Sequence, residues 1–144
     1  MRTVKDLLRS KGHAIWSVGP NDTVYAALGL MAEKNVGALL VLDDGQLVGI
    51  LSERDYARKV VLKGRTSRET PVREIMTENP ICVLTTQTID ECMALMTDKR
   101  IRHLPVLEND QLIGLISIGD VVRDIISEQE FMIEQLEHYI TGQR

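Results

Sequence analysis

Aromatic residues are scarce in this chain: one Phe, one Trp and three Tyr among 144 residues. Val, Leu, Ile, Met and Ala must therefore fill whatever core it forms, and at 44% apolar composition there is enough of them for a folded domain. Cysteine is equally sparse. Cys82 and Cys92 lie in one segment without metal-ligand spacing, which excludes a disulfide-stapled scaffold and reads as two reduced, buried thiols. No apolar run approaches the ~20 residues that a membrane-spanning helix needs. The opening MRTVKDLLRSKG has no continuous apolar stretch of the kind a secretory signal carries. A cytoplasmic protein with no membrane contact is expected. An excess of positive charge is also missing, and the formal net charge of −4 argues against nucleic acid as a partner.

Several signatures of chemistry are absent too. There is no G-x-G-x-x-G fingerprint, Gly64-Arg65-Thr66-Ser67 lacks the Lys and spacing of a phosphate loop, and Ser52 and Ser117 stand outside any G-x-S-x-G elbow. His13, His103 and His138 lack zinc or metalloprotease spacing, so no metal site is expected. No catalytic constellation emerges, and an enzyme acting on a nucleotide is the minority reading.

What is present is a repeat. A shift of 65 residues aligns Val18–Val61 on Val83–Ile126 without a gap, with roughly a third of positions identical, including Leu30/Leu95, Val41/Val106, Gly49/Gly114, Ser52/Ser117 and Asp55/Asp120. The first copy reads as a brief strand over 15–18, a helix capped by Asp22 and running to about Asn35, a hairpin of strands 36–42 and 46–51 around Asp43-Asp44-Gly45, and a closing helix from about Glu53 to Lys63. The second copy repeats this order, with a strand over 81–84, a helix over 88–99, and a hairpin through Glu108-Asn109-Asp110. The fold class is α/β: two tandem β-α-β-β-α units packed about a pseudo-two-fold axis, since either alone is too small to bury its sheet. The expected domains are a first repeat over 1–64, a polar linker over 65–70, a second repeat over 71–127 and a helical extension over 128–144.

The pair NVGALLVLDDGQLVGILSERD and RIRHLPVLENDQLIGLISIGD, with VKDLL and VREIM ahead of them, resembles a tandem pair of CBS domains, the Bateman module. The resemblance covers about Val4 to Ile126. It implies a non-catalytic sensor that binds adenine nucleotides in clefts between the repeats: AMP, ADP, ATP, NAD or NADH, or S-adenosylmethionine.

Two readings of Ser52-x-x-Asp55 and Ser117-x-x-Asp120 stand side by side. Each is a helix start, with Ser as N-cap and an acid three residues on. Each is also a ribose site, because a helix start displays free N–H groups and an Asp can accept both hydroxyls of a diol. The resemblance assigns this Asp to ribose and the Ser to ribose or phosphate. It also assigns Arg102 and His103, at a strand entry, to the phosphates, Arg102 by bidentate bonds and His103 as a donor. Lys99 and Arg100 suit a helix C-terminus.

The resemblance further implies the pairing in each cleft. The first would contain Ile50, Ser52, Arg54 and Asp55 with Ile81, Cys82, Arg102 and His103, and its three basic side chains suit a phosphorylated ligand. The second would contain Leu115, Ser117, Gly119 and Asp120 with Ile15, Trp16, Gly37 and Ala38, carries less charge and suits an adenosine moiety. Arg54 on the first turn of a helix is unfavourable for the dipole, which hints at use. Arg58 and Arg123 read as surface helix residues.

Beyond the repeat, Val122, Ile125, Ile126, Gln129, Met132, Ile133, Leu136 and Ile140 share one side of a helix. It is either a dimer or partner contact or a helix folded back on its own domain. The expected assembly is a flat homodimer, with a protein partner or the dimer itself as readout; the rival reading is a dimerisation scaffold with empty clefts.

Overall fold

The computed structural model describes residues 2–142. The element order is α1 (Val4–Lys11), β1 (Ser17–Val18), α2 (Val24–Lys34), β2 (Ala38–Asp43), β3 (Gln46–Ser52), α3 (Glu53–Tyr56), β4 (Thr77–Glu78), β5 (Val83–Leu84), α4 (Ile89–Lys99), β6 (His103–Glu108), β7 (Gln111–Ser117) and α5 (Ile118–Thr141). Two sheets carry the α/β fold. One has the order β1-β2-β3-β4 and the other β5-β6-β7, each with a parallel first pair and an antiparallel hairpin. Among the described residues no helix is long and apolar enough to cross a membrane.

The repeat holds down to backbone detail. Both hairpins turn through two residues of positive φ, Asp44-Gly45 and Asn109-Asp110, the conformation whose twist matches that of the flanking strands. Both carry an irregularity after the fourth residue of the first strand, at Val41/Leu42 and Val106/Leu107. Helices α2 and α4 end alike on a left-handed residue, Asn35 and Arg100. For Arg100 this is a costlier conformation than for Asn, and it turns the chain into β6.

Three local expectations differ. Thr23, not Asp22, caps α2, by accepting from the N–H of Ala26, while Asp22 folds back on the N–H of Gly19. The helix expected over 53–63 is α3 for one turn and then widens into a π-helical turn over Ala57–Val61. The polar stretch after it is pinned rather than free: the N–H of Val24 bonds Thr70 O, that of Tyr25 bonds Ser67 O, and Thr70 is buried.

Each sheet builds its own core, and each core borrows from the segment ahead of the other repeat. Val4, Leu7 and Leu8 of α1 pack with Val83, Ile89, Cys92, Met96, Leu104, Val106, Ile116 and Val121 of the second repeat. Val72 and Ile75, from the short 3-10 turn over Val72–Glu74, pack with Val24, Ala27, Met31, Leu39, Val41, Leu51 and Val60 of the first. Matching hydrogen bonds fix both segments: Val4 N–H to Gln87 O and Lys5 N–H to Thr85 O, against Val72 N–H to Asp22 O and Arg73 N–H to Pro20 O.

The paired glycines are explained by this crossing. A Cβ on Gly114 would stand 2.9 Å from Leu8 Cδ2, and one on Gly49 would stand 2.6 Å from Met76 Sδ and 2.9 Å from the Thr77 carbonyl oxygen. Gly49→Ala is expected to destabilise the fold by about 1–3 kcal/mol, because β4 backbone must shift to admit it. Gly29→Ala, in an exposed helical position with nothing within 4 Å, should instead stabilise by about 0.5–1 kcal/mol. Urea unfolding of both variants checks the contrast, and equal effects would refute it.

Candidate functional site

The two Ser-x-x-Asp junctions sit where β3 enters α3 and where β7 enters α5, and both are complete capping boxes. Asp55 Oδ2 accepts the Ser52 N–H at 2.9 Å and Ser52 Oγ accepts the Asp55 N–H at 3.3 Å. Asp120 Oδ2 accepts the Ser117 N–H at 2.8 Å and Ser117 Oγ accepts the Asp120 N–H at 3.1 Å. The cap reading is therefore correct, and it leaves one carboxylate oxygen of each Asp to take other donors. Both acids are largely buried, with side chains 14% and 10% exposed.

Those oxygens meet cations that differ in origin. Lys59, one turn along the same helix, stands 3.1 Å from Asp55 Oδ1 and also donates to the Ile75 carbonyl at 2.9 Å. Asp120 Oδ1 takes Arg123 at 2.9 Å, while Lys11 at the end of α1 reaches Asp120 Oδ2 and the Leu115 carbonyl, both at 2.5 Å. Burial alone would raise the Asp120 carboxyl, but the Lys11 and Ser117 hydrogen bonds outweigh it and hold the group below the usual carboxylate range. A second acid on α5, Asp124, is clamped by Arg2 at 2.8 and 2.9 Å through Nε and 2.5 Å through Nη2. Between α1 and α5 lies a cavity of about 290 Å³ lined in part by Arg2, Lys11, Asp120 and Arg123.

The strand entries are tied to the junction of their own repeat. Gly37 O accepts the Glu53 N–H at 3.0 Å and Ala38 stands opposite Ser52; Arg102 O accepts the Ile118 N–H at 2.8 Å and His103 stands opposite Ser117. Burial pushes the His103 imidazole below its ordinary value, Lys11 and Arg102 act the same way, and Asp120 opposes them. His103 shares its surroundings with Asp120 and Lys11, just as Ala38 stands beside the Asp55 junction. The β6–β7 and β2–β3 registers make the two arrangements equivalent.

Arg54 and Arg102 are exposed and make no ion pair among the described residues. Ile50 and Leu115 are half-buried on β3 and β7, Ile15 is half-buried ahead of β1, and Ile81 is exposed ahead of β5. Trp16 is partly exposed with Lys34 Nζ 4.5 Å from its ring centroid. Ala38 is buried, whereas a Cβ on Gly37 would meet only Glu53 Oε1 at 3.6 Å and one on Gly119 only Arg123 and Ser117 at 3.5 Å or more, so both glycines leave open space. Burial raises both thiols, and Cys92 is pushed up to about 11 with help from Glu91. Neither is a nucleophile at neutral pH.

Sequence reasoning missed Lys11 and Lys59 and set Arg123 aside as a surface residue. Lys59 and Arg123 had a local signal, standing four and three residues after an Asp on one helix. Lys11 had none, because its partner is 109 positions away. Its presence, with Arg123, also gives the Asp120 side the charge that the sequence reading denied it.

Comparison with known proteins agrees with this architecture. The chain is 43% identical over 97% of its length, and 72% of the relative's, to the CBS domain-containing protein CBSX3, mitochondrial, of Arabidopsis thaliana. Three further plant CBS-domain proteins are matched over 24% of their own length. A solved CBS-domain protein from Burkholderia ambifaria is 55% identical, covering 88% of this chain and 96% of that one, with a TM-score of 0.85. The CBS domain pair of protein MJ0100, solved with 5′-methylthioadenosine and S-adenosylmethionine, has a TM-score of 0.78 over 89% of this chain and 98% of that one at 24% identity, a likeness of fold. The family model for the CBS domain matches twice, over residues 4–62 and 72–127, and the chain belongs to the CBS-domain family as a tandem pair.

Proposed function

We propose that this CBS pair is a non-catalytic sensor of adenine nucleotides, with Asp55 and Asp120 as the ribose-binding groups of two clefts between the repeats. The observation that carries the reading is the state of the two carboxylates. Each is anchored at a helix start by a Ser N–H, largely buried, and completed by basic side chains, Lys59 at Asp55 and Lys11 with Arg123 at Asp120, that ligand hydroxyls can replace. A ribose diol presents two donors to such a fork, and the helix start adds unpaired N–H groups for an oxyanion. The MJ0100 pair holds adenosyl compounds on the same fold. Ile50, Ser52 and Arg54 with Ile81, Cys82 and Arg102 frame the Asp55 cleft. Leu115, Ser117 and Gly119 with Ile15, Trp16, Gly37 and Ala38 frame the other. His103 follows Arg102 in the Asp55 cleft of this reading, although its ring also lies near Asp120 and Lys11.

The clefts differ in what a ligand must displace. At Asp55 the unpaired Arg54 and Arg102 are free to meet phosphates, as in AMP, ATP or NAD. At Asp120 the incoming diol must dislodge Lys11, so occupancy there loosens α1 from α5. Ligand shifts the molecule between two arrangements only by its difference in affinity for them, and Lys11 supplies such a difference. The readout passes to a second copy or a protein partner.

A thermal-shift panel of AMP, ADP, ATP, NAD, NADH and S-adenosylmethionine tests the reading, since a ligand at ~100 times its Kd stabilises by ~2.7 kcal/mol. No shift with any of them would leave the scaffold reading, with the clefts empty. Asp55→Asn and Asp120→Asn, which keep an oxygen for the capping N–H, are each expected to remove one calorimetric binding event; unchanged stoichiometry in both would refute the ribose assignment. At the Asp120 cleft a displaced ammonium needs a new anion, so a phosphorylated ligand is favoured over a neutral one. Lys11→Met should therefore lower the ratio of AMP to adenosine affinity by about tenfold, one charge-assisted hydrogen bond; an unchanged ratio would remove Lys11 from the site.

A further inference from the structure

The cavity of about 290 Å³ between α1 and α5 is a groove built from two helix faces. Leu7, Ser10 and Lys11 line it from α1, and Asp120, Arg123, Asp124 and Ser127 line it from α5. Both rows advance by steps of three and four, which puts each on one side of its helix. Leu7 is buried and makes an apolar floor, and Arg2, just ahead of α1, completes the lining. The charges do not cancel, because Arg2, Lys11 and Arg123 stand against only Asp120 and Asp124. The hydrogen bonds are more one-sided still. Both oxygens of Asp124 accept from Arg2. Asp120 Oδ2 accepts from the Ser117 N–H and Lys11, and its Oδ1 accepts from Arg123. Neither acid keeps an oxygen without a donor. The donors are only part-used: among the described residues, Arg2 Nη1, Arg123 Nε and Nη1 and the hydroxyls of Ser10 and Ser127 make no hydrogen bond.

We infer that this groove binds a phosphoryl group, held between Arg2 and Arg123 with the Ser10 and Ser127 hydroxyls as further donors. A phosphoryl group offers only acceptors, and its charge offsets the surplus of cations. Its oxygens also fit the planar fork of a guanidinium. A cationic ligand finds no free acceptor here, and a neutral one leaves the surplus charge in place. The groove is also where the two repeats stop matching. The residue aligned with Asp124 in the first repeat is Lys59, which itself serves Asp55, and the lead segment there is a three-residue 3-10 turn in place of α1. The site therefore belongs to the second repeat and α1 alone. Two sources present the same chemistry: the distal phosphates of a nucleotide whose ribose lies on Asp120, in the wall of the groove, or free phosphate or pyrophosphate. The first rests on the ribose reading above; the second does not.

Inorganic pyrophosphate, titrated calorimetrically into the full chain at constant ionic strength, is expected to bind saturably. Arg123→Gln should weaken that binding about tenfold, the loss of one charge-assisted contact. Ser127→Glu should abolish it by placing a negative charge in the groove. Both positions are exposed, so cooperative thermal unfolding should persist in both variants. Asp120→Asn separates this site from the ribose reading. It should remove one nucleoside binding event yet tighten pyrophosphate, because a negative charge leaves the groove. If ATP displaces pyrophosphate and adenosine does not, the groove takes the distal phosphates of a nucleotide; if ATP and pyrophosphate bind together, it takes a free phosphate. Absence of saturable binding overturns the inference and leaves the ribose assignment standing. Binding that survives Ser127→Glu but is lost in Arg54→Gln with Arg102→Gln does the same, by moving the anion to the Asp55 cleft. A chain that binds pyrophosphate in the groove but no nucleoside keeps this site and loses the ribose reading.

Discussion

The packing of Leu8 on Gly114 and of Met76 on Gly49 is the constraint on which the rest of this fold depends. At each contact a segment from ahead of one repeat lies across a strand of the other, close enough that a single methyl group would intrude. Sheets of three and four strands with one helix layer bury little by themselves. Exchanging the two lead segments completes both cores and links them, so neither repeat can open without disturbing the other. The strand glycine of each GILS/GLIS run is therefore a packing device. Its place three residues ahead of the Ser-x-x-Asp acid's helix start ties the cleft to the crossing segments through one short piece of chain.

That link has different consequences at the two junctions. Beside Asp55, the lead segment is held through Lys59, whose ammonium touches both Asp55 and the Ile75 carbonyl. Beside Asp120, the lead segment α1 itself supplies the ammonium, and Lys11 bonds the acid and the Leu115 carbonyl. A change at Asp55 is felt first within its own helix, whereas one at Asp120 is felt in a helix remote in sequence. Near-identical motifs thus acquire different mechanical surroundings, and the difference lies outside the aligned repeat.

Much of this was legible in the sequence and some could not have been. The repeat, the hairpins with Asp-Gly and Asn-Asp turns, and the capped junctions follow from local chemistry: φ > 0 where only certain residues are comfortable, and an acid three residues after a Ser. Helix α5 announced itself by its stripe. The misplaced cap at Asp22 arose because Thr23 offers the same chemistry one residue later, and Asp22 is used by Gly19 instead. The π-helical turn after Tyr56 has no local signature in ARKVV. The crossing of α1 was hidden because VKDLL and VREIM announce a repeat start without saying which sheet it joins. Lys11 was hidden with it: a lysine at a helix C-terminus reads as a dipole partner, and only the crossing carries it to Asp120.

Helix α5 then gathers what the crossing separates. Its first turn holds Asp120, its second holds Arg123 and Asp124, the latter clamped by Arg2, and its exposed stripe begins between them at Val122. Arg123 bonds Asp120 from the same helix. A diol bound at Asp120, as proposed, would compete with Arg123 for one carboxylate oxygen. Because Lys11 holds the same carboxylate, a ligand bound there would act on the lead helix through one side chain, Asp120, and linkage would make that effect reciprocal.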